Sequence, residues 1–162
     1  MTRGALLDAA RDLLAERPWE QVTMAQVATA AGVSRQTVYN EFGSREALAQ
    51  ALVLRESDEF LSAVEQSVAE HSGEDLADAV VAAFEVFLDA AREDPIVRAV
   101  VSDGDGNAEL LALVTTQGTP VVEHGVERLA GTVLEHWPAL RRSDVVELAE
   151  IVVRLAISLA TQ

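Results

Sequence analysis

The stretch that most constrains this chain runs from Thr23 to Phe42, and residues 31–42 of it read AGVSRQTVYNEF. Thr23-Met24-Ala25-Gln26 has the form of a capping box, with a hydroxyl at the N-cap and Gln three residues on. Met24, Val27, Ala28 and Ala31 then recur at the spacing of a short helix with one buried side. Gly32 breaks that helix, Val33 plugs the turn, and Ser34 can cap a further helix running to about Phe42. Two short helices joined by a tight glycine-containing turn make a helix-turn-helix. Its geometry needs something small near Ala28 and Gly32, where the helices cross, and it turns Val38 and Phe42 inward. Arg35, Gln36, Thr37 and Asn40 are left outward, near the N-terminal end of the second helix, the part that meets base edges in the major groove. Arg pairs there with guanine, and Asn or Gln with adenine. Thr23, Ser34, Tyr39 and Arg45 can position phosphates, with helix N-termini adding backbone donors.

The rest of the chain punctuates itself into further helices. Leu6, Ala9, Ala10, Leu13 and Leu14 share one face of a first helix that Pro18 ends, with Trp19 packing beneath it. Gly43-Ser44 is another stop and cap, and Glu46 sits in a first turn where the helix dipole favours an anion. A long helix follows to about Glu70, then a loop at His71-Ser72-Gly73 and a helix over 74–92. Pro95 starts a short helix, Asp103-Gly104-Asp105-Gly106-Asn107 is a turn cluster, and an apolar helix spans about Leu110–Val114. After Gly118 and Pro120, two last helices over about 120–136 and 143–160 flank Pro138. With 9 Gly and 4 Pro in 162 residues, no convincing strand and no repeat, the expected fold is all-α with about nine helices. The expected organisation is a helix-turn-helix DNA-binding domain over 1–47 and a helical effector-binding and dimerisation domain over 48–162. The last helix stops abruptly at Gln162, and a few further residues are expected beyond it.

Charge is distributed unequally. Residues 1–55 carry six Arg against six acids, net 0, whereas residues 56–162 carry six Arg against 21 acids, net −15. An acidic body repels nucleic acid, so only the first third can dock on it.

At this point the residues resemble a known family. Ala9-Ala10, Leu13-Leu14, Thr23, Val27-Ala28, Ala31-Gly32-Val33-Ser34, Thr37-Val38-Tyr39, Phe42, Ser44 and Glu46-Ala47-Leu48 are similar to the N-terminal signature of TetR/AcrR-type transcriptional regulators. The motif covers about residues 5–48; the rest matches only as several helices ending in two long ones. The resemblance implies a homodimeric, ligand-responsive DNA-binding protein, usually a repressor. By the family pattern, Tyr39 and Arg45 clamp phosphates, while Thr23 caps and touches the backbone. Three departures stand out: Glu41 occupies a place where His or Tyr often meets phosphate, Pro18-Trp19 replaces a Gly-aromatic pair, and the N-terminal arm offers only Arg3.

The acidic half must then dimerise and sense. Val121, Val122, Val126, Leu129 and Val133, with Val145, Leu148, Val152, Leu155 and Leu159, form broad apolar stripes that could build a four-helix interface with a second copy. Ordinary core packing accounts for many of the same residues. Phe84, Phe87, Leu88, Leu111, Val114 and Val122 are the expected lining of an effector pocket, with Thr115, His124 and Trp137 as polar anchors. No clustered Arg marks a phosphorylated or carboxylate ligand, so a neutral or cationic apolar effector is expected.

Other chemistries find little to rest on. With no cysteine, disulfides, thiolate metal sites and cysteine nucleophiles are excluded. The turn cluster begins like a calcium loop, but Ala108 stands at the sixth position and Val114 at the twelfth. His71, His124 and His136 show no ligand spacing, and no strand–Ser–helix elbow exists. The expectation is therefore no metal, no cofactor and no catalytic residue. No apolar run reaches the ~18 residues of a membrane span, and a cytoplasmic protein is expected. The partners expected are a double-stranded DNA operator, a second copy of the chain and a small-molecule effector. The alternative, a helical sensor or interaction module with a vestigial helix-turn-helix, rests on Glu41 and the short arm.

Overall fold

Three hydroxyls start three consecutive helices. Thr23 accepts from the Gln26 amide while Gln26 bonds back to the Thr23 backbone, closing the capping box. Ser34 accepts from the Thr37 amide and Ser44 from the Ala47 amide, each at 3.1 Å. These bonds satisfy amides that a helix start leaves without partners, at about 1 kcal/mol each. At the turn between the first two, Gly32 sits at φ +69°, a conformation that costs other residues a Cβ–backbone clash.

The computed structural model describes residues 3–73, 75–94, 97–99, 106–114 and 119–160. Pro95, Asp103-Gly104-Asp105, Thr115 and Gly118 lie outside the described residues, as does the side chain of Leu159. The elements are α1 (Arg3–Glu16), a 3₁₀ turn (Trp19–Gln21), α2 (Met24–Ala30), α3 (Arg35–Phe42), α4 (Arg45–Glu70) and α5 (Leu76–Glu93). A helical stretch over 97–99 follows. The rest are α6 (Ala108–Val114), α7 (Thr119–His136) and α8 (Arg142–Ala160). Among the described residues there is no strand. The nine-helix expectation is met by these eight helices and the 97–99 stretch; the 3₁₀ turn is the addition.

Two apolar cores divide the molecule, and α4 runs through both. The first gathers α1, α2, α3 and the start of α4 around Trp19, Val27, Val38, Leu48 and Leu52. Leu110 and Val114 of α6 belong to this same core, so the N-terminal helices are not packed as an isolated unit. Each such side chain contributes roughly 1.5–3 kcal/mol by leaving water. The second core joins Val64 and Val68 of α4 with Ala79 and Ala83 of α5, Leu129 and Val133 of α7, and Val145 and Ala149 of α8. A polar strap reinforces the α4–α7 seam: His124 Nε2 lies 2.6 Å from Asp58 Oδ1, and Arg128 bonds Asp58, Ser62 and Glu65. The hydrogen bond from His124, with Arg128 beside it, holds the Asp58 carboxyl below the usual carboxylate range.

Candidate functional site

The capped α2–turn–α3 unit aims a polar face outward. Val38 and Phe42 are buried beneath α3, which leaves Arg35, Gln36, Thr37 and Asn40 exposed on its other side. They are arranged among themselves: Gln36 Nε2 donates to Asn40 Oδ1 at 2.8 Å, and Arg35 Nη2 donates to the Tyr39 hydroxyl at 3.2 Å. The Arg35 guanidinium also sits 5.2 Å from the centre of the Tyr39 ring. Tyr39 itself is half-buried with its ring against the first core, a position that steadies its hydroxyl. Thr23 and Ser34 are both exposed caps, so each hydroxyl stands at a helix start where backbone donors also point outward.

Glu41 is not an unpaired carboxylate on this face. Arg3 Nη1 lies 3.2 Å from Glu41 Oε1, and the same guanidinium stacks 4.6 Å from the Phe42 ring centre. The short arm and the acidic departure from the family pattern thus meet and offset each other.

Arg45 is placed differently from the other seven expected DNA contacts. Its Nε donates to the Val22 carbonyl at 2.9 Å, its Nη2 to the Trp19 carbonyl at 2.6 Å and its Nη1 to Glu109 Oε2. Its guanidinium lies 4.9 Å from the Trp19 ring centre. Three of its five donors are therefore committed inside the molecule, at the junction between the 3₁₀ turn and α6. The junction is dense: Trp19 Nε1 donates to Glu109 at 2.9 Å, the Trp19 amide to Asn107 Oδ1 at 2.8 Å, and the Glu20 amide to the Gly106 carbonyl at 2.9 Å. Pro18-Trp19, which breaks the family's Gly-aromatic pattern, is the surface that α6 grips.

Between α4, α5, α6, α7 and α8 lies a cavity of about 160 Å³. Phe84, Phe87 and Val114 line it as the sequence predicted. The other described anchors and walls expected from the sequence lie elsewhere. Leu88 points to solvent, and Leu111 packs on the first core. Val122 yields its place on the wall to Val121, one residue round the helix. His124 faces outward to Asp58, and Trp137 packs in the second core. The wall that sequence reasoning missed comes chiefly from α4, through Val53, Phe60, Leu61 and Val64, and from α8, through Val153, Ala156 and Ile157. Phe60 and Phe87 meet edge to face with centres 6.0 Å apart, a favoured aromatic geometry. Glu56 and Ser57 are the polar exceptions on the wall, and the Ser57 hydroxyl donates to the Val53 carbonyl at 2.8 Å.

The expected dimer residues also divide. Leu129 and Val133 are buried in the protomer's own core, Val126 and Leu148 are half-buried, and Val152 lines the cavity. Leu155 is exposed, and Ile151 one turn before it, absent from the expected set, is 57% exposed.

Comparison with known proteins decides the family. The description "Bacterial regulatory proteins, tetR family" matches residues 6–52, and "Bacterial Tetracyclin repressor, C-terminal domain" matches residues 75–162. The chain belongs to the TetR family. It is similar to the HTH-type transcriptional regulator AlkX of Mycobacterium tuberculosis, 38% identical over 98% of this chain and 74% of that one. It also resembles the solved TetR family repressor AlkX from Dietzia sp., implicated in biodegradation of n-alkanes. That match has a TM-score of 0.82 and 36% identity, covering 99% of this chain and 84% of that chain. A TetR-family regulator from Pectobacterium atrosepticum shares the fold at a TM-score of 0.74 and 22% identity, over 98% of this chain and 79% of its own. This TetR-family chain is a DNA-binding transcriptional regulator, and its family is one of regulators rather than enzymes. No described helix is long and apolar enough to cross a membrane.

Proposed function

We propose that this TetR-family regulator is a repressor that reads a palindromic operator as a homodimer and is released by a small apolar effector. The observation that carries the reading is the pairing of a capped helix-turn-helix, its polar face exposed, with a cavity walled almost wholly by apolar groups. In this reading residues 1–47 bind DNA and residues 48–162 bind effector and partner. Arg35, Gln36, Thr37 and Asn40 meet base edges; Thr23, Ser34 and Tyr39 meet phosphates. Arg45 serves the junction with α6 rather than a phosphate, because three of its five donors are already committed to Val22, Trp19 and Glu109. The vestigial reading loses part of its support, since Arg3 pairs with Glu41.

The second copy would pack against the outer faces of α7 and α8. Ile151 and Leu155 are exposed there, and Gly131 of α7 has open space around it for a close helix approach. Dimerisation then sets two α3 helices one DNA turn apart, roughly 34–36 Å. An effector acts by binding better to a form whose spacing no longer fits. The family relative implicated in n-alkane biodegradation is in keeping with an aliphatic effector.

The test is an anisotropy titration against a labelled duplex from upstream of the chain's own gene, with random duplex as competitor. Saturable binding by dimers that resists the competitor and weakens steeply with salt is expected. Binding no tighter than to random DNA, on that duplex and on sequences selected from the whole genome, would sink the reading. Ile151→Glu should yield monomers by light scattering; a dimer that persists moves the interface elsewhere.

A further inference from the structure

We propose that the cavity takes an apolar molecule of about six to ten carbons carrying one hydrogen-bond-donating head, a protonated amine best of all, and rejects carboxylates. A cavity near this size with aliphatic and aromatic walls holds benzene-sized ligands. The proposal deepens the effector reading above and rests on it.

Glu56 is the charged group among the described residues of the wall. Its side chain is only 7% exposed. Oε1 accepts from Arg55 Nε at 3.2 Å and Nη2 at 2.8 Å, and Oε2 faces Arg11 Nε at 3.2 Å. An ionised carboxylate has about four acceptor sites, and three donors meet Glu56, so one acceptor site is left on this wall residue.

Its two guanidinium neighbours are shared. Arg11 also pairs with Asp94 at 2.9 Å and approaches Glu59, and Arg55 pairs with Asp8 at 2.7 Å and approaches Glu59. Arg11 and Arg55 are thus each divided among more than one carboxylate rather than reserved for Glu56. An anionic head in this apolar chamber would meet the Glu56 carboxylate, with no cation among the described residues of the cavity wall to receive it. A donor head would instead complete the coordination of a buried carboxylate. The titration behaviour agrees: burial pushes the Glu56 carboxyl up, against the pull of Arg55 and Arg11. Arg55, nearer solvent and with Asp8 as a second partner, keeps its charge firmly; burial works against it, and the carboxylates outweigh burial.

The test is calorimetric titration of the unmodified protein with four probes: octylammonium, 1-octanol, octanoate and toluene. Octylammonium should bind tightest, 1-octanol next, and octanoate about tenfold or more weaker than octylammonium, since its charge is buried unpaired. Glu56→Gln should shrink the ammonium-to-carboxylate ratio severalfold, whereas Glu127→Gln, which removes one exposed carboxylate elsewhere, should leave it unchanged. Octanoate binding as tightly as octylammonium overturns the proposal, as does a ratio that falls equally in both variants. If toluene binds without any preference among heads, this proposal fails and the effector cavity stands. If none of the four binds, toluene included, the cavity reading falls and takes the proposal with it. Should Glu56→Gln not fold, the ranking in the unmodified protein decides alone.

Discussion

The two halves are built from the same Ala, Val and Leu, yet one is filled and the other hollow. Around α2 and α3, Trp19, Val27, Val38 and Leu52 are 0% exposed and Val22 and Leu48 are 1% exposed. Around α5 and α8 the same residue types leave a chamber of about 160 Å³. Close packing makes a part whose shape does not yield, which suits a surface that must match a groove. Looser packing forgoes dispersion contacts but keeps space for a guest. Rigidity and vacancy are thus assigned to adjoining stretches of one helix, α4.

The sharpest way to break this contrast is at the seam between the halves. Arg45→Ala should lower the unfolding free energy in urea by ~3 kcal/mol, because it strips charge-assisted bonds from a partly buried Glu109 and two carbonyls. The salt slope of DNA binding should stay as it is. A slope reduced by about one would instead put Arg45 on a phosphate.

Next comes a matched pair of enlargements. Ala28→Leu, at a 3% exposed crossing point of α2, should cost about 2 kcal/mol by overpacking. Ala156→Leu, on the cavity wall, should change stability by less than about 1 kcal/mol while abolishing effector-driven release of DNA. Equal losses in thermal denaturation would erase the distinction between filled and hollow.

A third change probes the grip of α6 on the head. Gly106 has φ +87°, and a Cβ there would stand 2.8 Å from Pro18 Cβ. Gly106→Ala should destabilise by about 1–3 kcal/mol, read as a lowered Tm, and an unchanged Tm would mean that the junction gives way at no cost.

The smallest effect concerns acid. Asp58 is held below its ordinary value of 3.8, first by His124, so its contribution is present above that pH and lost as pH falls through its folded value. With a side chain 56% exposed, that contribution should stay below about 1 kcal/mol. Asp58→Asn should therefore flatten the stability curve slightly below pH 3.8, and an unaltered acid limb would show that the α4–α7 strap is ornamental.

What the sequence disclosed follows the same division. Thr23, Gln26, Gly32, Ser34 and Ser44 act within four residues of themselves, so caps, turn and the outward set on α3 could be read locally. Trp19 was legible too, as a large aromatic behind a helix-ending proline. The cavity was not, because its wall draws single faces from helices far apart in sequence. Phe60 and Val64 looked like ordinary stripe residues on α4, and Val121 and Val122 differ only in which way α7 is turned. Arg45 finds Glu109 across 64 residues, and no local pattern announces such a partner. Glu56 was silent for the same reason, since its meaning depends on Arg11 from α1.

Consider finally α6 as a mechanical part. Two turns of helix, about 10 Å long, carry Glu109 at one end and Val114 at the other. One end is bolted to the turn that carries Trp19, and the other forms a patch of the chamber wall. A rod so short does not bend. It can only tilt or slide, so a guest crowding Val114 would press on the Trp19 turn through about 10 Å of helix.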